Sequence, residues 1–349
     1  MKRVCIINTG GTLGMDHGEH GYQPVPGFLA SQLENVDELR RTGMPEIELV
    51  EYDPVIDSSN MSPENWLQIA EDIQSRYDHY DGFVVIHGTD TMAHTASALS
   101  FMFDGLTKPV ILTGSQIPLV EIRNDARGNL ITAILLAVEY HIPEVCIYFG
   151  NRLLRGCRAT KVSATSFGAF DSPNFPPLGT VGTNINVFTH RIRVDENPGP
   201  LAVFPIRRQS VATFRLFPGV NHEVLDNVLR QPLMALVLET YGVGNGPSRD
   251  SELIKVLSQA TDRGTIIVSC SQSLHGRINQ TSYETGSAFF EAGVVSGFDM
   301  TIEAALAKLH YLFSMYTSPD RIKPLIGSDL TGELTADPVS KTISDNQTA

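Results

Sequence analysis

Apolar residues along this chain fall into short continuous runs, separated by longer stretches in which they recur every third or fourth position. The runs read as parallel strands buried on both faces, and the periodic stretches as helices laid over them. In the first half, strands are expected at "RVCIINTGG", "IELVEYDPVIDSS", "GFVVIHGTD", "KPVILTGSQ" and "EVCIYFGNR". Helices are expected at "SPENWLQIAEDIQSRY", with Ser62 as N-cap and Pro63 at the first helical position, and at "TMAHTASALSFMF" and "ARGNLITAILLAVEYH". The prolines and mixed charge of "HRIRVDENPGPLAVFPIRRQS" break the pattern and read as a linker. Strands "VATFRLFPG", "LMALVLETYG" and "TIIVSCSQS" then alternate with helices "HEVLDNVLR", "DSELIKVLSQATDRG" and "TIEAALAKLHYLFSMY".

The pattern predicts an α/β protein made of two α/β domains. The larger N-terminal one, 1–189, carries a mostly parallel sheet flanked by helices; a linker at 190–210 leads to a smaller parallel C-terminal α/β domain, 211–349. Residues 15–27, "MDHGEHGYQPVPG", have no apolar periodicity and read as a mobile loop able to act as a lid, with Tyr22 its only phenol. The polar tail "DPVSKTISDNQTA" reads as frayed.

Composition narrows the function. A formal net charge of −13 at pH 7 opposes the counterion release that drives nucleic-acid binding, so no nucleic-acid partner is expected. No segment approaches the roughly 20 apolar residues of a membrane span, and "VCII" near the start is too short for a secretion signal. The expected location is the cytoplasm, without a membrane partner. Cys5, Cys146, Cys157 and Cys270 show no C-x-x-C spacing and read as small buried hydrophobes in a reducing compartment. His87 and His94 have no third ligand at metal-site spacing, so no metal is expected.

Ligands of open parallel sheets bind beyond the carboxyl ends of the strands. Polar clusters fall there: Thr9 to Thr12 after the first strand, Asp57, Ser58 and Ser59 after the second, His87 to Thr91 after the third, and Thr113 to Gln116 after the fourth. If the strands are neighbours, Thr12, Ser58, Thr89 and Asp90 surround one cleft. Each cluster has a plainer alternative: a tight turn at Gly10 and Gly11, a helix cap at Asp90, turn residues at Ser58 and Ser59. The loop from Gly10 matches neither a P-loop, which needs Lys followed by Ser or Thr, nor the G-x-G-x-x-G dinucleotide spacing. Lys161, set among small residues, is ordinarily a solvated charge; buried beside Thr89 and Asp90 it would be pulled toward the amine form by desolvation and held charged by Asp90, and the amine form would serve as a base.

Together, "TGGT" at 9–12, "GYQPV" at 21–25, "DSSNM" at 57–61, "HGTDTM" at 87–92, "TGSQIP" at 113–118 and "ATK" at 159–161 resemble the bacterial-type L-asparaginases, and most closely their cytosolic type I branch. The resemblance continues through "YGVGNGP" at 241–247 and "GVVSGFDMTIEAALAKLHYL" at 293–312. It implies hydrolysis of L-asparagine to L-aspartate and ammonia, without a cofactor. Thr12 matches the nucleophile, Tyr22 the lid tyrosine that assists it, and Thr89, Asp90 and Lys161 a second triad in which the lysine eases proton removal from a threonine hydroxyl. Ser58 matches the residue that holds the substrate α-carboxylate, Asp90 a ligand of its α-amino group, and Asp57, Ser59 and Thr89 further substrate contacts. Family members pair as dimers and as tetramers that are dimers of dimers, which implies a homodimer or homotetramer. Thr240 and Ser273 stand where the allosteric type I pattern has Arg and Cys.

Two other readings stay open from sequence. One is the asparaginase-like subunit of a tRNA-dependent amidotransferase, which carries an extra N-terminal domain before its "TGGT"; here the motif stands almost at the start. The other is a non-catalytic amino-acid binding protein, against which the intact Thr12 and Lys161 argue.

Overall fold

The structure, a computed structural model, describes every residue except 20, 26, 280–283 and 336–349. Two compact units divide the chain, Met1–Ile206 and Arg207–Ala349. In the first, β1 (Arg3–Asn8) leads into a hairpin of β2 (Met15–Gly18) and β3 (Gly21–Pro24), then α1 (Phe28–Glu34), β4 (Glu46–Glu51), α2 (Pro63–Arg76) and β5 (Gly82–Ile86). Next come α3 (Met92–Met102), β6 (Phe103–Asp104), β7 (Val110–Thr113), α4 (Ala126–Glu139), β8 (Val145–Phe149) and β9 (Arg152–Arg155). Short strands complete the unit: β10 (Thr160–Lys161), β11 (Phe170–Asp171), β12 (Gly179–Val181), β13 (Ile185–Val187) and β14 (Ala202–Val203).

The main sheet has eight strands in the order β13-β12-β9-β8-β7-β5-β1-β4. The run from β4 to β8 is parallel, and β9, β12 and β13 add antiparallel pairings. Val4, Ile6, Val84, Ile86, Ile111 and Tyr148 share one core with Leu29 of α1 and Leu130, Ala133 and Ile134 of α4. The alternate residues Cys5, Ile7, Phe83, Val85, Leu112 and Ile147 are equally buried, while α3 packs on β7 and β8 with α2 beside it. Burial on both faces is why these strands read as unbroken apolar runs. After β1 the chain runs to β4 on one side and returns to β5 on the other. The carboxyl ends of β1 and β5 therefore flank the topological switch point, where such sheets open a crevice.

The second unit contains β15 (Val211–Arg215), α5 (His222–Val228), β16 (Ala235–Thr240), α6 (Ser251–Asp262), β17 (Ile266–Ser271), α7 (Glu284–Glu291), β18 (Val295–Ser296), α8 (Ile302–Met315) and α9 (Pro319–Ile326). Its four strands pair in parallel in the order β15-β16-β17-β18. Leu236, Leu238 and Ile267 face α5, α6 and α7, whereas Val237, Ile266 and Val268 face α8 and α9. Side-chain caps start two of these helices: Asp250 accepts from the Glu252 and Leu253 amides at the start of α6, and Thr301 from the Ala304 amide at the start of α8. Inside this unit Lys308 is fully buried and donates to Glu333 at 2.6 Å, to the Ile326 carbonyl at 2.9 Å and to the Ser328 carbonyl at 2.6 Å.

The mixed α/β class, with a large and a smaller sheet, is the one expected. Several local features differ, three of them at the hairpin, the linker and the last helix. Met15–Gly18 and Gly21–Pro24 pair as antiparallel strands with His17 opposite Tyr22, inside the stretch expected as a mobile loop. His17, Tyr22 and Gln23 are exposed, so the pair lacks the apolar alternation that marks a half-buried strand. Ala202–Val203, inside the stretch expected as linker, pairs with β6. The helix α9 escapes notice because Pro324 lies within it and Pro319 heads it. The tail expected to fray lies outside the described residues. Among the described residues no helix is long and apolar enough to cross a membrane.

Candidate active site

The turns at the switch point are pressed together by glycine. Gly11 adopts φ 98°, and a Cβ there would lie 2.5 Å from the Gly88 amide nitrogen. A Cβ on Gly88 would in turn lie 2.4 Å from Ser58 Oγ. Backbones approach so closely only where no side chain intervenes. Hydrogen bonds stitch the same turns: the Ile56 amide donates to the Thr9 carbonyl at 2.6 Å, and Thr91 Oγ1 donates to the Ser58 carbonyl at 2.7 Å. Thr12, half-buried, opens a single 3-10 turn directly after Gly11, the residue pressed against Gly88.

Lys161 arrives from the other side of this crevice on β10, opposite Phe170 of β11. Phe170 is buried and packs edge-on against Phe149, ring centroids 5.2 Å apart, which anchors the small hairpin to the main sheet. From there Lys161 Nζ donates to Thr89 Oγ1 at 2.9 Å and to Asp90 Oδ1 at 2.7 Å. Thr89 is buried, the lysine side chain is 20% exposed and the Asp90 side chain 66% exposed. The hydroxyl thus lies inward and the carboxylate at the water's edge. An ion pair so exposed contributes little to stability, and its effect is to aim the amine.

Ser58 is buried, and Asp57 and Ser59 are exposed. Asp57 accepts the Ser59 amide at 2.9 Å, which fixes this turn without engaging Ser58 Oγ.

Tyr22 is 46% exposed, and its hydroxyl donates to Glu121 Oε1 at 2.8 Å. His17 Nε2 approaches the same oxygen at 2.9 Å. The carboxylate that accepts its bond pushes the Tyr22 phenol above its ordinary pKa and so keeps it protonated. Thus Thr89, Asp90 and Lys161 are joined by direct hydrogen bonds, Thr12 and Ser58 adjoin them through the glycine contacts, and the Tyr22 hydroxyl is engaged elsewhere. Sequence reasoning missed Glu121, a loop carboxylate with no periodic or motif signal. Its loop is itself a bracket: Leu119 N donates to the Leu13 carbonyl at 3.3 Å, and Gln116 Nε2 to the Ser166 carbonyl at 3.1 Å.

At the head of the 87–91 turn, His87 is buried with its ring between Thr95 and the Gly88 carbonyl, and burial pushes it down to about 4, so the imidazole is neutral. The neighbouring arginines have structural partners: Arg152 pairs with Asp171 at 2.7 Å and Arg155, buried, with Glu144 at 2.5 Å. All four cysteines are free and buried, the Cys5 thiol pushed up to about 11 and that of Cys270 to about 12.

Hydroxyls, a lysine and a carboxylate around one crevice are groups suited to acyl transfer. The chain matches the family models described as asparaginase, N-terminal, over residues 3–193 and glutaminase/asparaginase C-terminal domain over residues 210–326. It belongs to the asparaginase family. Among its relatives, L-asparaginase 1 of Escherichia coli is 48% identical over 339 residues, covering 96% of this chain and 99% of that protein. The crystal structure of L-asparaginase I from Vibrio cholerae is 49% identical with a TM-score of 0.89, covering 96% of this chain and 99% of that one. The thermostable L-asparaginase from Thermococcus kodakarensis is 33% identical with a TM-score of 0.87, covering 96% of this chain and 100% of that one.

Proposed function

We propose that this protein is an L-asparaginase that hydrolyses L-asparagine to L-aspartate and ammonia through an acyl-enzyme on Thr12. The observation that carries the reading is the Lys161–Thr89–Asp90 cluster set against the Thr12 turn at the switch point. An amide carbonyl is weakly electrophilic and its nitrogen a poor leaving group, so the reaction needs a placed nucleophile, a proton path and donors for the developing oxyanion. Thr12 Oγ1 attacks the side-chain carbonyl, the C–N bond breaks, and the nitrogen leaves as ammonia after taking up a proton. Water then cleaves the resulting ester, releasing aspartate and restoring the hydroxyl. Lys161, held by Asp90, donates to Thr89 Oγ1 and so eases proton transfer through that hydroxyl to the leaving nitrogen, and Tyr22 assists Thr12 when the hairpin lies over the crevice.

Ser58 and its turn hold the substrate carboxylate, Asp90 its ammonium, and Asp57, Ser59 and Thr89 complete the enclosure. No cofactor enters the scheme. The resemblance also supports a cytoplasmic enzyme working as a homodimer or a homotetramer, with residues 1–189 as the catalytic domain; gel filtration giving an active monomer would contradict the assembly. The chemistry is tested by ammonia release from L-asparagine. Thr12→Ala and Lys161→Met are each expected to lower turnover by about 10²-fold or more, the usual scale for nucleophile and proton-transfer groups. Equal turnover in all three proteins sinks the mechanism.

A further inference from the structure

Three hydrogen bonds in series lead to the peptide that joins Gly88 to Thr89. Trp66 Nε1 on α2 donates to Thr95 Oγ1 on α3 at 3.1 Å. Thr95 Oγ1 lies 2.8 Å from His87 Nε2, and His87 Nδ1 lies 2.6 Å from the Gly88 carbonyl oxygen. A carbonyl oxygen can only accept, so Nδ1 carries the proton; Nε2 of the neutral ring is then the acceptor, and the Thr95 hydroxyl, whose oxygen receives Trp66, donates to it. Every donor and acceptor in the chain is used once, in one direction.

The consequence lies in the peptide plane. In a trans peptide, C=O and N–H point in opposite directions, so fastening the Gly88 carbonyl to the buried imidazole turns the Thr89 N–H away from it. That N–H has no acceptor among the described residues, although Thr89 is buried. An amide of a buried residue without a protein partner is free to donate to a bound group. Gly88 offers no side chain to resist rotation of this plane, so the orientation depends on the imidazole.

We propose that His87 is a positioning residue that locks the Gly88–Thr89 peptide plane, with Thr95 and Trp66 behind it, so that the Thr89 amide donates to the oxygen that gains charge during amide cleavage. Its burial removes it from substrate; it acts through the peptide. The inference rests on the hydrolytic reading above and adds to it a residue that neither touches substrate nor moves a proton in the reaction.

The test compares His87→Leu, His87→Asn and Thr95→Val with the wild-type enzyme, reading kcat and KM for L-asparagine on protein whose folding is checked by thermal melting. Asn places an amide N–H near the position of Nδ1 and restores the donor to Gly88; Leu does not. Losing an oxyanion donor costs about 10²–10³ in kcat, so misaiming one is expected to lower kcat by about tenfold or more in His87→Leu with KM within about threefold, and His87→Asn is expected to regain most of it. Thr95→Val, nearly isosteric, is expected to lose kcat about fivefold, and decides the question should His87→Leu not fold. Wild-type kcat in Thr95→Val, or in folded His87→Leu, overturns the proposal, as does His87→Asn no better than His87→Leu. A wild-type enzyme that releases no ammonia overturns the hydrolytic reading instead, a result distinct from any of these.

Discussion

Gly11 and Gly88, 77 positions apart in the sequence, meet so closely that a Cβ on the first would lie 2.5 Å from the backbone nitrogen of the second. The Thr12 turn and the Thr89 turn are therefore one packed unit. Gly11→Ala would add both this clash and an unfavourable backbone at φ 98°. The expected cost is about 1–3 kcal/mol in stability. A shift of about 1 Å between the turns would lower kcat by about 10²-fold. Chemical denaturation and steady-state assay of the purified variant check both.

Glu121 ties the hairpin of β2 and β3 to the following loop through Tyr22 and His17 on one carboxylate oxygen. In Glu121→Ala the hairpin loses both of these anchors and is held less firmly, as an untied lid segment is. Faster proteolysis within residues 15–24 and a lowered kcat are the expected outcomes, with Glu121→Gln intermediate because its amide oxygen still accepts the tyrosine hydroxyl. Cleavage rates identical to wild type would show that the hairpin is held by other contacts.

The buried pair of Lys308 and Glu333 predicts a stability effect confined to the second unit. Lys308→Met leaves a buried carboxylate without its cation, which costs about 3–5 kcal/mol. Replacing both partners with apolar residues is expected to recover much of the loss. A urea titration of the single and double variants measures the difference.

His87 sets a pH dependence of definite sign. Burial lowers its folded pKa from 6.5 to about 4. Above the unfolded value neither state is protonated, and the ring costs nothing; between pH 6.5 and about 4 the unfolded chain takes up a proton that the folded protein refuses, so stability falls as pH falls. The depression corresponds to about 3 kcal/mol, roughly three quarters of it lost by about pH 4.5. Denaturation of wild type and His87→Asn at about pH 7 and pH 4.5 is expected to show a smaller loss in the variant.

How much of this was legible in sequence depended on what each residue does for the core. Strands such as Gly82–Ile86 and helices such as Ser251–Asp262 announced themselves because burial imposes a period on apolar residues. The hairpin at 15–24 did not, because its pairing is backbone pairing with solvent on its side chains. Thr89, Asp90 and Lys161 could be named from strand-end position and family motifs, while their mutual distances could not. Glu121, Trp66 and Thr95 left no trace in any motif: a loop carboxylate, an indole and a helical hydroxyl gain meaning only from what the fold sets against them. Cys146 and Cys157 read as small hydrophobes, and burial confirms that reading.

Because every cysteine of this chain is enclosed, its surface carries no native thiol for a maleimide to find. A cysteine introduced at the fully exposed Ile122, next to Glu121, would be the one attachment point for a fluorophore. The protein thus comes ready for a probe that reports hairpin closure during turnover, with no background to engineer away.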